Sequence, residues 1–276
     1  MSPTSSIFNV ASPDRRDLLV SAGAVAAGLL FNPVARGAEH DLSGIKALTF
    51  DVYGTCTDYW GTFVREGNDL NRRTGFNLDW DKFIEDWRGL YVPMFTAIID
   101  SKRTWQSVTS IHGDALRALV RNRAIDHFSD ADLTEINGIW ERLDPWPDSI
   151  PGLVRLKRRY ILSSLSNADM AGMTKLAKNS SLPWDVILAA ELAQTFKPDP
   201  KVYQLAPRYL GLKPEEILMV ACHKFDLRGA RAQGFRTAFV ARPRELGING
   251  KPDTKFEQEF DLNVGSFLEL ADRLQV

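Results

Sequence analysis

Ile45-Lys46-Ala47-Leu48-Thr49-Phe50-Asp51-Val52-Tyr53-Gly54-Thr55 is the stretch that decides the fold. An apolar run of strand character ends on a carboxylate, and a Gly-Thr turn follows at once. Open α/β sheets keep their ligands at the carboxyl ends of parallel strands, which is where this reading puts Asp51. Taken alone, the segment reads more simply as an Asp capping a helix after a βα turn. What lies downstream changes that balance.

Past residue 158, strand-like and helix-like segments alternate. Strands are expected at Tyr160–Leu165, Val186–Ala190, Ile217–Ala221 and Arg236–Ala241, and helical spacing fills the gaps, as in Val202, Leu205, Ala206 and Tyr209. Such alternation predicts a parallel sheet covered by helices on both faces. The interval from Asp51 to Ser166 is far longer than the roughly 30 residues a βαβ crossover needs, so most of it is an insertion. Its pattern is helical. Asp79 can cap a helix with the apolar face Trp80, Phe83, Ile84, Trp87, Tyr91. A second helix is expected from about Thr104, with Trp105, Val108, Ile111 and Leu119 on one side, and a third after Ser129, through Leu133, Ile136, Trp140 and Leu143. Pro145, Pro147 and Pro151 mark the return to the sheet. The expected organisation is a core of residues 39–58 and 147–276 interrupted by a helical cap of residues 59–146.

The 276 residues are 44% hydrophobic and 25% charged with a net charge of -1, an ordinary soluble composition without the basic footprint of a nucleic-acid binder. No P-loop, G-x-G-x-x-G or G-x-S-x-G motif is present, and His40, His112, His127 and His223 share no metal-ligand spacing with Cys56 and Cys222. Residues 1–38 read as an export signal: Arg15-Arg16 precede a weakly apolar stretch from Leu18 to Phe31, and small residues follow at Ala35, Gly37 and Ala38. The pattern resembles a twin-arginine signal and implies a periplasmic protein that touches the membrane only in transit. Because that route carries folded proteins, Cys56 and Cys222 are expected as buried free thiols rather than a disulfide.

Four segments in order carry a more specific resemblance: the opening stretch, Leu162-Ser163-Ser164-Leu165-Ser166-Asn167, Phe196-Lys197-Pro198-Asp199-Pro200-Lys201-Val202-Tyr203, and Met219-Val220-Ala221-Cys222-His223-Lys224-Phe225-Asp226. Together they resemble the motifs of the haloacid dehalogenase superfamily, and most closely its type II (S)-2-haloacid dehalogenases, over roughly residues 42–270. The resemblance implies a HAD-like Rossmannoid α/β fold with an inserted α-helical cap. It also implies hydrolysis of short (S)-2-haloalkanoic acids to (R)-2-hydroxyalkanoic acids through an aspartyl ester. The implied partner is that small-molecule substrate, with no nucleic acid, no metal and no cofactor; a homodimer is left open.

By resemblance Asp51 is the nucleophile, a weak one in water but effective when desolvated and aligned on carbon. Superfamily phosphatases carry a second Asp two residues on, to protonate a departing alkoxide. Tyr53 stands there instead, and a halide leaves without a proton. Where metal-dependent relatives have two acids in the last motif, this chain has Cys222 and Asp226, which weakens an oxygen-ligand magnesium site. Lys197 would then let Asp51 and Asp226 coexist as anions. Arg88 lies inside the apolar stripe of a cap helix. An arginine there can simply lay its stem on apolar surface, but by resemblance it reaches into the site and receives the halide together with Asn167. Thr55 would orient Asp51. Ser166 and the backbone amides of Val52 and Tyr53 would hold the substrate carboxylate. Trp105, Phe225, Tyr203 and His223 complete the expected substrate shell, with positioning ranked above base catalysis for His223 and with Asp226, aided by Lys197, given the hydrolytic water. Ala221 and His223 depart from the Ser and Asn expected in the family. The alternatives are a phosphatase of the same superfamily, a hydrolase of another activated carbon electrophile, and a non-catalytic periplasmic binding protein.

Overall fold

The computed structural model describes residues 41–276; the expected export signal, residues 1–38, lies outside them. Strand β1 (Ala47–Phe50) leads through the short β2 (Thr57–Asp58) into four helices: α1 (Tyr59–Thr74), α2 (Trp80–Ile99), α3 (Val108–Asn122) and α4 (Asp130–Asn137). The chain returns through β3 (Asp144–Pro145) to α5 (Ser149–Leu156), β4 (Ile161–Ser166), α6 (Met170–Asn179) and β5 (Val186–Ala189). Then come α7 (Pro200–Tyr203), α8 (Leu205–Leu210), β6 (Ile217–Ala221), α9 (Lys224–Ala232), β7 (Arg236–Val240), β8 (Leu262–Val264) and α10 (Phe267–Arg273).

Six strands form one parallel sheet in the order β5-β4-β1-β6-β7-β8. β1 lies inside it, with Thr49 paired to Ser163 on one side and Met219 on the other. A strand buried on both faces needs an unbroken apolar run rather than alternation. The sequence Ile217-Leu218-Met219-Val220-Ala221 of β6 supplies one, and all five residues are buried. Because every strand points the same way, the residues that follow β1, β4, β6 and β7 gather at one edge.

β2 and β3 pair antiparallel, Thr57 opposite Pro145 and Asp58 opposite Asp144, so the helical segment leaves and rejoins the sheet side by side. α2 begins where expected, with the Asp79 carboxylate accepting from the Lys82 amide, and buries Trp80, Phe83, Ile84, Trp87 and Tyr91. Trp87 and Trp140 meet at 6.1 Å, and His112 stacks on Trp140 at 4.3 Å. A buried phenylalanine such as Phe83 is worth roughly 1.5–3 kcal/mol in area terms. A core residue ties the segment down: the Asp169 carboxylate, just after β4, accepts the Val108 and Thr109 amides at 2.7 Å each, satisfying free donors at the start of α3.

The departures from expectation have local causes. α3 starts at Val108, not near Thr104, because Ser107 is the cap and accepts from Ser110. α4 stops at Asn137, and Trp140 lies in a 3-10 turn, Gly138–Glu141. α1 was not among the expected helices although it is amphipathic, burying Tyr59, Trp60, Phe63 and Leu70; a Cβ on Gly67 would stand about 2.0 Å from the Trp80 ring. The three residues of β8 are too few to show a period.

His112 generates a prediction. Burial alone lowers its pKa from 6.5 to about 3. In the unfolded chain the imidazole takes its proton near 6.5, while the folded one refuses it until about 3. The unfolded state therefore binds more protons in that window, and stability falls as pH falls through it, by up to ~1.4 kcal/mol per pH unit. Urea unfolding of His112→Leu should show a flatter decline between pH 6.5 and 4 than the wild type; an unchanged slope would assign the acid sensitivity elsewhere.

Candidate active site

Asp51 follows β1 and is 7% exposed. Its amide donates to the Val220 carbonyl, continuing the β1–β6 pairing by one residue and fixing the carboxylate at the sheet edge. The turn after it keeps Gly54 at φ 83°, a left-handed conformation suited to glycine. A side chain there would also collide with Glu245, whose Oε1 lies 2.9 Å from the position of a Cβ. Arg242 holds the same turn from the other side, donating to the Thr55 carbonyl at 2.8 Å and to Asp148 at 2.7 Å.

Both Asp51 oxygens are engaged. Oδ2 accepts from the Thr55 hydroxyl at 2.8 Å and faces His223 Nδ1 at 3.0 Å. Oδ1 is held less closely, by Ser166 Oγ at 3.3 Å and Lys197 Nζ at 3.5 Å. Burial pushes the carboxyl pKa up, but Lys197, His223 and Thr55 outweigh it and hold Asp51 well below the usual carboxylate range. It is an anion at any working pH.

Lys197, 4% exposed, stands between two carboxylates, with Nζ 2.6 Å from Asp226 Oδ2. Asp226 Oδ1 accepts from the Tyr203 hydroxyl at 2.9 Å. Burial raises the Asp226 pKa, Lys197 opposes this, and the neighbouring Asp51 adds to the rise. The Lys197 amide donates to Asn167 Oδ1 at 2.8 Å, so that oxygen is engaged, and Asn167 lines the cavity.

The cavity above Asp51 measures about 290 Å³. Arg88, Tyr91 and Phe95 on α2 face it, with Tyr59 and Trp140 beside them. Arg88 is half-buried and bonds Tyr91, and among the described residues no carboxylate lies within 4.0 Å of it. It is a cation open to an anionic guest. Burial raises the Tyr91 pKa to about 12, so that phenol remains a neutral donor.

The structure thus brings Asp51, Thr55, Tyr53, Arg88, Ser166, Asn167, Lys197, His223, Phe225 and Asp226 to one place, either lining the cavity or bonded to Asp51. Two expectations change. Trp105 does not line the cavity: it lies in the loop before α3 and packs on Phe196 at 4.8 Å. Tyr203 is fully buried behind Asp226 and holds that carboxylate instead of meeting substrate. The Val52 amide donates to Ser166 Oγ at 3.4 Å, and its side chain belongs to the core.

The sequence reading missed Glu245, which is 6% exposed and lies 2.8 Å from His223 Nε2. The available signal was its place just past the carboxyl end of an expected strand. Burial works against a charged His223, but Cys222, Glu245 and Asp51 outweigh it and put its pKa well above the ordinary value. With carboxylates at both ring nitrogens, His223 is an imidazolium at neutral pH. Cys222 Sγ converges on His223 and Glu245 within 4.8 Å. Cys56 and Cys222 are buried free thiols, with pKa values raised by burial.

A family model for haloacid dehalogenase-like hydrolases matches residues 45–234. An (S)-2-haloacid dehalogenase of Pseudomonas sp. (strain YL) is 29% identical over 202 residues, covering 72% of this chain and 83% of that one. The crystal structure of the L-2-haloacid dehalogenase PA0810 superposes with a TM-score of 0.81 at 37% identity, covering 84% of this chain and 99% of its own. That of the defluorinating L-2-haloacid dehalogenase Rha0230 gives 0.80 at 33% identity, covering 84% and 96%. Sheet, motifs and these likenesses agree, and the chain belongs to the haloacid dehalogenase-like hydrolases.

Proposed function

We propose that this chain hydrolyses short (S)-2-haloalkanoic acids to (R)-2-hydroxyalkanoic acids through an ester on Asp51. The observation that carries the reading is an ionised, nearly dry Asp51 in a small cavity lined also by Arg88, an arginine with no carboxylate partner among the described residues. The names of the relatives, which are 2-haloacid dehalogenases, support the same chemistry.

Oδ1 is the attacking oxygen in this reading, because its two contacts, at 3.3 and 3.5 Å, are longer than those that fix Oδ2. Ser166 and the amides of Val52 and Tyr53 receive the substrate carboxylate, and this anchor holds the α-carbon in line with Oδ1. Attack opposite the carbon–halogen bond inverts the centre. The halide leaves toward Arg88 and the Asn167 amide, donors that strengthen as its charge develops. Water then cleaves the ester at the Asp51 carbonyl. No metal is needed in this scheme, because the Lys197 ammonium already occupies the space between Asp51 and Asp226. Tyr53 replaces the acid a phosphatase would use, and burial holds its phenol neutral.

Export completes the reading. The paired Arg15-Arg16 before a weakly apolar stretch supports twin-arginine transport to the periplasm.

Halide release from 2-chloro-, 2-bromo- and 2-fluoropropionate is expected to be unchanged by exhaustive EDTA treatment; loss on chelation with recovery on adding magnesium would overturn the scheme. Arg88→Lys keeps the charge but loses the planar fork, and Arg88→Ala removes a transition-state donor, typically worth ~2.7–4 kcal/mol. Both variants should therefore lose kcat, by about 10²–10³-fold for Arg88→Ala; near-normal turnover with the fold intact would make Arg88 structural. Replacing both Arg15 and Arg16 by Lys should abolish recovery of the protein in the periplasm, and undiminished recovery would contradict the export route.

A further inference from the structure

His223 and Glu245 have no part in the scheme so far, and both are placed to act in its second half. His223 Nδ1 lies 3.0 Å from Asp51 Oδ2 and Nε2 lies 2.8 Å from Glu245 Oε1. Its side chain keeps 24% exposure on the cavity side, whereas that of Asp226 keeps 1%. Asp226 is also committed: one oxygen accepts from Lys197 at 2.6 Å and the other from Tyr203 at 2.9 Å. Glu245 is held rigidly, its amide bonded to the Arg242 carbonyl and its carboxylate seated in the space that Gly54 leaves open. We infer that His223, oriented by Glu245, is the general base that activates the hydrolytic water on the Asp51 ester, and that Asp226 serves to hold Lys197. The inference rests on the dehalogenase reading of Asp51.

The protons balance. In the free enzyme both ring nitrogens of His223 carry hydrogen, one facing Asp51 and the other Glu245. When Asp51 Oδ1 bonds to the α-carbon and the halide departs with the carbon–halogen electron pair, Asp51 becomes a neutral ester and Nδ1 loses its anionic partner. The imidazolium then releases the Nδ1 proton to solvent, which accounts for the one proton the overall hydrolysis liberates. Nε2–H stays on Glu245, so the lone pair is fixed on Nδ1, beside the ester carbonyl carbon. Water adds to that carbon and gives its proton to Nδ1. The tetrahedral adduct collapses by breaking the bond to the alkyl oxygen, which takes the remaining hydroxyl proton. Asp51 carboxylate, His223 imidazolium and the hydroxy acid result, and the starting state is restored. The other groups that face His223 are Cys222 beside it, Tyr59 on α1 and Tyr91 on α2. Burial raises the pKa of all three and keeps the two phenols neutral, and Glu245 is the carboxylate still bonded to His223 once the ester forms. In these terms His223 is a catalytic residue and Glu245 a positioning residue.

Rapid-quench single turnovers of (S)-2-chloropropionate, with the full-length enzyme in excess, separate the two halves by following chloride, lactate and the mass of the peptide containing Asp51. In the wild type chloride and lactate should rise together. In His223→Asn chloride should still appear in a burst near one per site, while lactate lags by ~10²-fold or more and the ester accumulates. Glu245→Gln keeps the shape and can still accept from Nε2–H. It should slow lactate formation and move the pH limb of ester breakdown to lower pH, because a lost negative neighbour lowers the pKa of His223; a merely structural Glu245 would leave that limb in place. If His223→Asn does not fold, Glu245→Gln decides. Ester breakdown at the wild-type rate in the variants, or ester accumulating in Asp226→Asn while His223→Asn turns over normally, would overturn the inference. Failure of the wild type to release chloride at all would instead overturn the dehalogenase reading.

Discussion

Three carboxylates, Asp51, Asp226 and Glu245, are buried within one hydrogen-bonded cluster, and the site depends on the two cations between them. Lys197 bridges Asp51 and Asp226, and His223 bridges Asp51 and Glu245. Taking such charges out of water is costly, and removing one member of a buried pair typically costs ~3–5 kcal/mol because the other is left uncompensated. The cluster is therefore a demand on the surrounding fold. Asp51 remains ionised without being solvated, the two conditions that make a carboxylate oxygen effective against carbon.

The parallel sheet meets that demand by directing β1, β4, β6 and β7 to one edge, so that residues remote in sequence arrive on short loops with little freedom to move. The turn after β1 carries several constraints at once. Gly54 admits Glu245, the Thr55 hydroxyl fixes Asp51, and the Thr55 carbonyl is held by Arg242. The helical segment closes the site from the other side. Its aromatic packing and the Asp169 tie to α3 set the position of α2, which in turn delivers Arg88 to the cavity.

Much of this arrangement was legible in the chain. β1, β5 and β6 announce themselves as largely apolar runs, while β4 carries three serines, and the Asp51, Ser166-Asn167, Lys197 and Asp226 motifs follow the carboxyl ends of these strands. What was not legible depends on contacts between distant segments. Glu245 sits in Arg242-Pro243-Arg244-Glu245, which reads as a solvated turn; its burial follows from Arg242 folding back onto Thr55 and Asp148, which no local pattern records. Trp105 was placed in the site by resemblance, whereas its helical spacing pointed to core packing; it packs on Phe196 in the loop before the cap, Ser107. Tyr203 stands beside the site, but a sequence cannot tell which side of Asp226 its ring occupies.

Covalent attack by Asp51 is the claim on which the rest depends, and the origin of the product oxygen tests it most directly. In a single turnover in oxygen-18 water, with enzyme in excess over an (S)-2-haloacid, the hydroxyl oxygen should come from the Asp51 carboxylate. The hydroxy acid should then be mostly unlabelled and of (R) configuration, and the peptide containing Asp51 should carry the label. Label in the first-turnover hydroxy acid and none in the peptide would mean that water attacks carbon directly, and Asp51 would not be the nucleophile.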